Sequence, residues 1–260
     1  MRVVTLNVQN DEGDPRRVGL LNRVLREVAA DVVVLQEVCY PGRRDHLAEL
    51  LAGTGLVHTT HQADVLGRPP AGTERFGGGA VATRWAHSVV DVREHRPRTA
   101  TERHWWVLAV AVTVPVLGDL LLVSPTTPWE PDVEDVRERV AGEVLDVDDR
   151  HRRALPTVVA GDLNAGPGSA SLRVLAGRFR DAWAVAGDGP GYTWSVDNPL
   201  AAAEIGRLLG EPGHRRRIDH VLVGPGARVG AARLVADRPV DGVWLSDHAG
   251  VLVDLDPAPG

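Results

Sequence analysis

The acids, amides and one histidine that could do chemistry in this 260-residue chain collect at the ends of apolar runs. There a buried strand hands a polar side chain to the edge of a sheet. Asn7 closes Val3-Val4-Thr5-Leu6, and Glu37 closes Val32-Val33-Val34-Leu35-Gln36. Val158-Val159-Ala160-Gly161 leads into Asp162 and Asn164, two apart and so on the same side of an extended chain. Arg217-Ile218 leads into Asp219, and Trp244-Leu245-Ser246 into Asp247 and His248. Such a set offers oxygen ligands to a hard cation, with positions left open for phosphate oxygens and water. A further carboxylate can orient the water, and an acid-paired imidazole can stabilise charge or give a proton beside a phosphoryl oxyanion. Taken singly, an Asn or Asp at a strand end more often caps a turn or a helix. Five such places in one chain would all have to be accidental.

The elements that must position these residues are short. Apolar runs predict strands at 2–8, 31–36, 56–61, 79–85, 88–93, 104–114, 119–124, 156–161, 217–223, 227–235 and 249–255. Helical periodicity is clearest over 15–29, where Val18, Leu21, Val24, Leu25 and Val28 share a face. Further helices are expected at 43–52, 131–149 and 169–177. Strand–helix–strand–helix at the front, consecutive strands in the middle and strand–helix–strands at the back make a mixed α/β plan. No linker or composition break divides it, so a single domain is expected over 1–255 with a frayed tail at 256–260. The stretch 64–77, with Gly67, Pro69, Pro70, Gly72 and Gly77, is expected to be a mobile loop, and 187–216 is expected to be irregular.

The ordered set resembles the endonuclease/exonuclease/phosphatase superfamily. The matching pieces are Asn7, Gln36-Glu37, Gly161-Asp162-Leu163-Asn164, Arg217-Ile218-Asp219 and Ser246-Asp247-His248, supported by 79–84 and by Tyr192-Thr193-Trp194 with Asn198-Pro199. The pieces span residues 5–250. The resemblance implies a deoxyribonuclease-I-like fold, a four-layer αββα sandwich of two mostly antiparallel sheets. It also implies phosphoester hydrolysis assisted by a divalent metal, Mg2+ or alternatively Mn2+. On this resemblance Glu37 is the main metal ligand, helped by Asn7 and Asp247. Asp162 aligns or deprotonates the attacking water, and Asn164 holds a phosphate oxygen. His248 lies on the scissile phosphate, kept basic by Asp219. One family element departs: where a histidine usually meets the phosphate, Thr127 stands, with Thr126 beside it. Threonine donates one hydrogen bond but carries no charge. Losing one charge-stabilising donor of that kind typically costs roughly 10²–10³ in rate. Arg103 and His104 are the candidate phosphate-binding substitutes on the preceding strand. One of Trp105 and Trp106 is expected in the core, and the other, with Trp129, is a candidate stacking surface.

Composition narrows the class. Hydrophobic residues at 43% and charged residues at 25% are those of a globular domain. The longest apolar run, 105–123, is interrupted by Pro115, Gly118 and Asp119, so no membrane span is expected. The opening residues read as a strand rather than an export signal, and the single cysteine, Cys39, excludes an intramolecular disulfide. A cytoplasmic location is the expectation. All basic residues are arginine, a bias that codon composition explains more readily than phosphate recognition. A net charge of −6 argues against a protein that coats nucleic acid. A small phosphorylated metabolite or phosphodiester is therefore expected ahead of long nucleic acid, with no membrane or protein partner implied. Two alternatives stand: a DNA or RNA nuclease using a basic stripe of Arg98, Arg103 and Arg215–Arg217, and a repurposed fold using the Asp219–His248 pair for another reaction or only for binding. His58 and His61 lack a nearby acid, and Gly77-Gly78-Gly79 precedes a strand, so neither reads as a metal or phosphate site.

Overall fold

Continuous apolar runs such as residues 32–35, 106–112 and 120–123 bury both faces of the central strands, so the sheets must be covered on both sides. A computed structural model of the chain describes residues 1–42, 44–67, 69, 74–99 and 102–256 and shows how. In chain order the elements are β1 (Arg2–Asn7), α1 (Arg17–Val28), β2 (Val32–Val38), α2 (His46–Leu51), β3 (His58–His61), α3 (Gln62–Leu66), a 3-10 turn (Glu74–Phe76), β4 (Gly78–Thr83), β5 (His87–His95), β6 (Trp105–Val114) and β7 (Gly118–Thr126). There follow α4 (Glu134–His151), β8 (Val158–Asp162), α5 (Ala170–Ala176), β9 (Arg180–Asp181), α6 (Ala182–Ala186), β10 (Trp194–Ser195), α7 (Pro199–Leu208), β11 (Arg215–Arg216), β12 (Asp219–Val223), β13 (Arg228–Val235) and β14 (Gly250–Asp256).

Two six-stranded sheets result, ordered β13-β14-β1-β2-β4-β3 and β5-β6-β7-β8-β12-β9. Each holds one parallel pair, β1 with β2 and β7 with β8, and is otherwise antiparallel. Val3, Val32, Val34 and Val81 of the first sheet meet Leu108, Val110, Leu122, Val158 and Val221 of the second in the central core. Residues one step along the same strands face outward. Val33 and Leu35 pack against Val18, Leu21 and Leu25 of α1, while Leu121, Val123 and Val159 pack against Val140, Val144 and Val147 of α4. Three apolar layers between four structural layers make the expected αββα sandwich. Truncating any of these leucines to Ala would cost about 2–5 kcal/mol.

Helix ends follow local chemistry. α5 is capped by Ser169 and α7 by Asn198, with Pro199 in the first turn. That helix corrects the expectation of an irregular 187–216, and the Asn-Pro pair is the signal for it. The start of the expected loop 64–77 is the end of α3, and residues 68 and 70–73 lie outside the described residues. β14 runs to Asp256, which pairs with Arg228, so the strand ends one residue later than expected. Residues 257–260 lie outside the described residues. No helix among the described residues is long and apolar enough to cross a membrane.

Candidate active site

The parallel pair β1–β2 sets Asn7 opposite Gln36 at its C-terminal end. Regular pleating would then turn Glu37 toward α1, away from the second sheet. Instead β2 bulges against β4 between Leu35 and Val38, and Glu37 takes a left-handed φ of 58°. A bulge of this kind re-aims a side chain. Asn10 N–H secures it by donating to the Glu37 carbonyl at 2.9 Å. Gly77, itself at φ 67°, makes room: a Cβ there would stand 2.5 Å from the Glu37 carbonyl carbon.

Asn7 ties the two sheets together. Its Nδ2 donates to Glu37 Oε1 at 2.9 Å and to Asp162 Oδ2 at 3.3 Å, while its Oδ1 accepts from Gln9 N at 2.9 Å. Asp162 ends β8 directly across from Asp219 on β12. Its Oδ1 accepts from Asn164 N at 3.0 Å, and Asn164, left-handed at φ 49°, reaches the Thr127 carbonyl with Nδ2 at 3.4 Å. His248 Nδ1 donates to Asp219 Oδ2 at 2.9 Å, and its Nε2 lies 3.9 Å from Asp162 Oδ2. The loop before β14 is fixed by Ser246, whose hydroxyl donates to the Asn7 carbonyl at 2.7 Å and accepts from His248 N at 3.1 Å.

Electrostatics separates this cluster into two parts. Burial opposes a charge on His248, yet Asp219, Asp162 and Asp247 together hold its pKa well above the ordinary imidazole range. The imidazolium is therefore the cation of the Asp162–Asp219 side. Burial and the neighbouring Asp219 raise Asp162 to about 6, against the pull of His248. Glu37 has less relief: burial, then the Asp247 charge, push it up to about 8. One atom from each of Asp162, Asp219 and His248 lies within 4.8 Å of the others, a spacing that could hold an ion. A charged imidazole already occupies that role. The oxygen set at Glu37 and Asp247, whose charge the Arg17 guanidinium behind it offsets in part, is with the Asn7 amide the one that fits a hard divalent cation.

Of the residues expected from sequence, the structure brings Asn7, Glu37, Asp162, Asn164, Asp219, Asp247 and His248 together. Thr127 joins them through Asn164, and its buried Oγ1 has no hydrogen-bond partner among the described residues. Thr126 ends β7 opposite Trp106. Arg103 is held by Glu130 at 2.7 Å, and His104 pairs with Glu94 of β5 at 3.1 Å. Trp106 is fully buried, Trp105 stacks on His95, and Trp129 is exposed. His61 caps α3 through Nδ1, a structural role.

Two contributors, Arg17 and Glu204, escaped the sequence reading, and Thr193 entered it only as part of the Tyr192-Thr193-Trp194 stretch, with no role assigned. Arg17, only 3% exposed, donates to the carbonyls of Val8, Gln9, Glu12 and Leu245 and so clamps the Asn7 and Asp247 loops from behind. Nothing in its spacing marks it, because it opens α1 like any solvated arginine. Thr193 Oγ1 accepts from the backbone N–H groups of Ile218 and Asp219 at 3.0 and 3.2 Å. Glu204 on α7 faces the Asp247 carboxylate, and burial together with that charge raises its pKa. The Asn198-Pro199 cap, which puts Glu204 one turn inside a helix, was the available signal.

Comparison with known proteins agrees with the geometry. The profile of the Endonuclease/Exonuclease/phosphatase family matches residues 4–248. The crystal structure of an endonuclease/exonuclease/phosphatase from Beutenbergia cavernae is similar at 28% identity and a TM-score of 0.67, covering 99% of this chain and 72% of that one. D. rerio TDP2, solved with a single strand DNA product, shares the fold at 17% identity and a TM-score of 0.72, with 98% of each chain covered. An endonuclease/exonuclease/phosphatase from Bacteroides vulgatus does so at 18% identity and 0.69, again over 98% of both chains. No curated protein matches this sequence.

Proposed function

The chain belongs to the endonuclease/exonuclease/phosphatase family, whose members are in general metal-dependent phosphoesterases or nucleases, and on that premise we propose that it is a divalent-metal-dependent phosphoester hydrolase acting on a small phosphorylated metabolite or phosphodiester. The observation that carries the reading is the convergence of Glu37, Asp247 and Asp162 with one charged imidazole, an anionic excess that a cation would relieve. Glu37, Asp247 and Asn7 would hold Mg2+ or Mn2+. When bound, such an ion polarises the phosphoryl group and offsets its developing charge.

The chain's own groups supply the rest. Asp162, fixed by Asn164 N and Asn7 Nδ2, orients the attacking water and takes its proton, a task suited to a carboxyl raised to about 6. Asn164 steadies a phosphate oxygen through its amide. His248, aligned by Asp219, presents Nε2–H to a non-bridging oxygen and stabilises the charge that builds there. The Thr127 hydroxyl, buried and without a partner among the described residues, would reach the same group only by a shift of its side chain.

Preference for a small substrate is supported by the arginines. Arg103, Arg215 and Arg217 of the candidate basic stripe are engaged by Glu130, Asp197 and Asp181, which leaves little of the stripe for a strand's phosphates. The test is calorimetric titration of Mg2+ into wild type and Glu37→Ala, with release of nitrophenolate from bis(4-nitrophenyl) phosphate and 4-nitrophenyl phosphate followed on the same samples. Saturable binding lost in the variant, with metal-dependent turnover, is expected. Turnover in the presence of a chelator, or unchanged Mg2+ binding by Glu37→Ala, would overturn the assignment.

A further inference from the structure

We propose that a cleft beside the candidate active site binds a second phosphate carried by the same substrate, so that the preferred ester is a doubly phosphorylated one. The inference rests on the hydrolase reading above. The cleft holds about 350 Å³ and lies between Gly166–Ser169 on one wall and Arg215–Arg217 on the other, with Tyr192 at its edge.

Its position follows from the ladder that carries the site. β8 and β12 are last joined at Asp162 and Asp219, and by Leu163 N–H donating to the Ile218 carbonyl at 2.9 Å. Beyond that bond the two chains part, and the cleft opens between them. Gly166 is two residues from Asn164, and Arg217 is two residues from Asp219. Two residues span at most about 7 Å, so the walls of the cleft begin within roughly one sugar-sized unit of the Asn164 and Asp219 backbone. Tyr192 is tied to the same frame, because the neighbouring Thr193 hydroxyl holds the N–H groups of Ile218 and Asp219.

The charge of the cleft matches that occupant. No carboxylate is among its lining residues. Arg215 is committed to Asp197 at 2.6 Å. Arg217 is 6% exposed and gives Nη1 to Asp181 and His220, so its guanidinium is committed within the protein. The exposed Arg216 forms no side-chain hydrogen bond or ion pair among the described residues. An arginine without a partner among the described residues, on a cleft lined also by Tyr192 and by the positive charge of Arg215 and Arg217, suits phosphate oxygens.

The second phosphate could be a terminal group on a small bisphosphate or the next phosphodiester of a strand, and the test separates the two. Thymidine 5′-(4-nitrophenyl phosphate), the same ester with a 3′-phosphate, and an oligothymidylate with the same 5′-ester are hydrolysed with Mg2+ by wild type and Arg216→Ala. The 3′-phosphate is expected to raise kcat/KM roughly 10–100-fold, mainly through KM. Arg216→Ala should erase that advantage and leave the singly phosphorylated ester unaffected. A gain in the oligonucleotide equal to that of the bisphosphate assigns the cleft to a strand; a smaller one assigns it to the terminal dianion. Equal kcat/KM for the first two esters, or a preference that survives Arg216→Ala, overturns the proposal. If no ester is cleaved, the hydrolase reading has failed, and calorimetric binding of thymidine 3′,5′-bisphosphate against thymidine 5′-monophosphate decides the cleft alone. A preference that depends on Arg216 upholds it, and equal or absent binding overturns it.

Discussion

Replacing Glu37 by Gln should stabilise the metal-free protein at alkaline pH, although it removes the main candidate metal ligand. The folded environment raises this carboxyl from 4.5 to about 8. Between those values the folded state holds a proton that the unfolded chain has released, so stability falls as pH rises through the interval. A shift of about 3.5 pH units at about 1.36 kcal/mol each gives ~5 kcal/mol as the largest contribution. Glu37 and Asp162 share Asn7 Nδ2, so this energy belongs to the cluster, and roughly half, ~2–3 kcal/mol, is assigned to neutralising Glu37 alone. Gln preserves the acceptor for Asn7 and adds a donor toward Asp247. For a chain of this size the gain corresponds to about 4–12 °C in Tm. Thermal melts with a chelator from pH 5 to 9 should show the wild type losing stability toward pH 8 and the variant losing less. The two curves should meet near pH 5, and Mg2+ should raise the wild type much more than the variant. A variant less stable than wild type at pH 8 with chelator, or a difference independent of pH, would refute the reasoning.

Asp219→Asn should lower kcat/KM by about 10²–10⁴, because His248 loses the charge that keeps it protonated and an amide can also present its NH2 to Nδ1, favouring the wrong tautomer. Its pH profile should lose activity at lower pH than the wild type, since the raised imidazole value falls toward the ordinary one. Arg17→Ala removes donors to four carbonyls from a buried site and should cost about 3–5 kcal/mol in urea unfolding, with weakened Mg2+ binding as the two loops loosen. Gly77→Ala forces a Cβ against the Glu37 backbone at a left-handed φ. It should cost about 1–3 kcal/mol and reduce Mg2+ affinity, read by calorimetry; unchanged affinity would show that the bulge does not set the Glu37 position.

Much of this protein is determined by sequence alone, because strand burial is a local pattern. β1, β2 and β8 are apolar runs that carry the site's polar residue at their C-terminal ends, while β12 and β14 carry theirs at or just before their N-terminal ends, and strand direction fixes which end that is. The αββα layering is likewise legible from strands apolar on both faces and helices apolar on one. Tertiary structure decided what depends on distant partners. The bulge that turns Glu37 into the site needs β4 and Gly77, nearly forty residues away in sequence. Arg17 looks like a solvated arginine until the loops at Val8 and Leu245 close around it. Arg103, Arg215 and Arg217 read alike as phosphate ligands, yet folding gives each a carboxylate and leaves Arg216 without one among the described residues. Charge on a side chain is written in the sequence; whether that charge is already neutralised depends on which atoms the fold brings within a few ångströms of it.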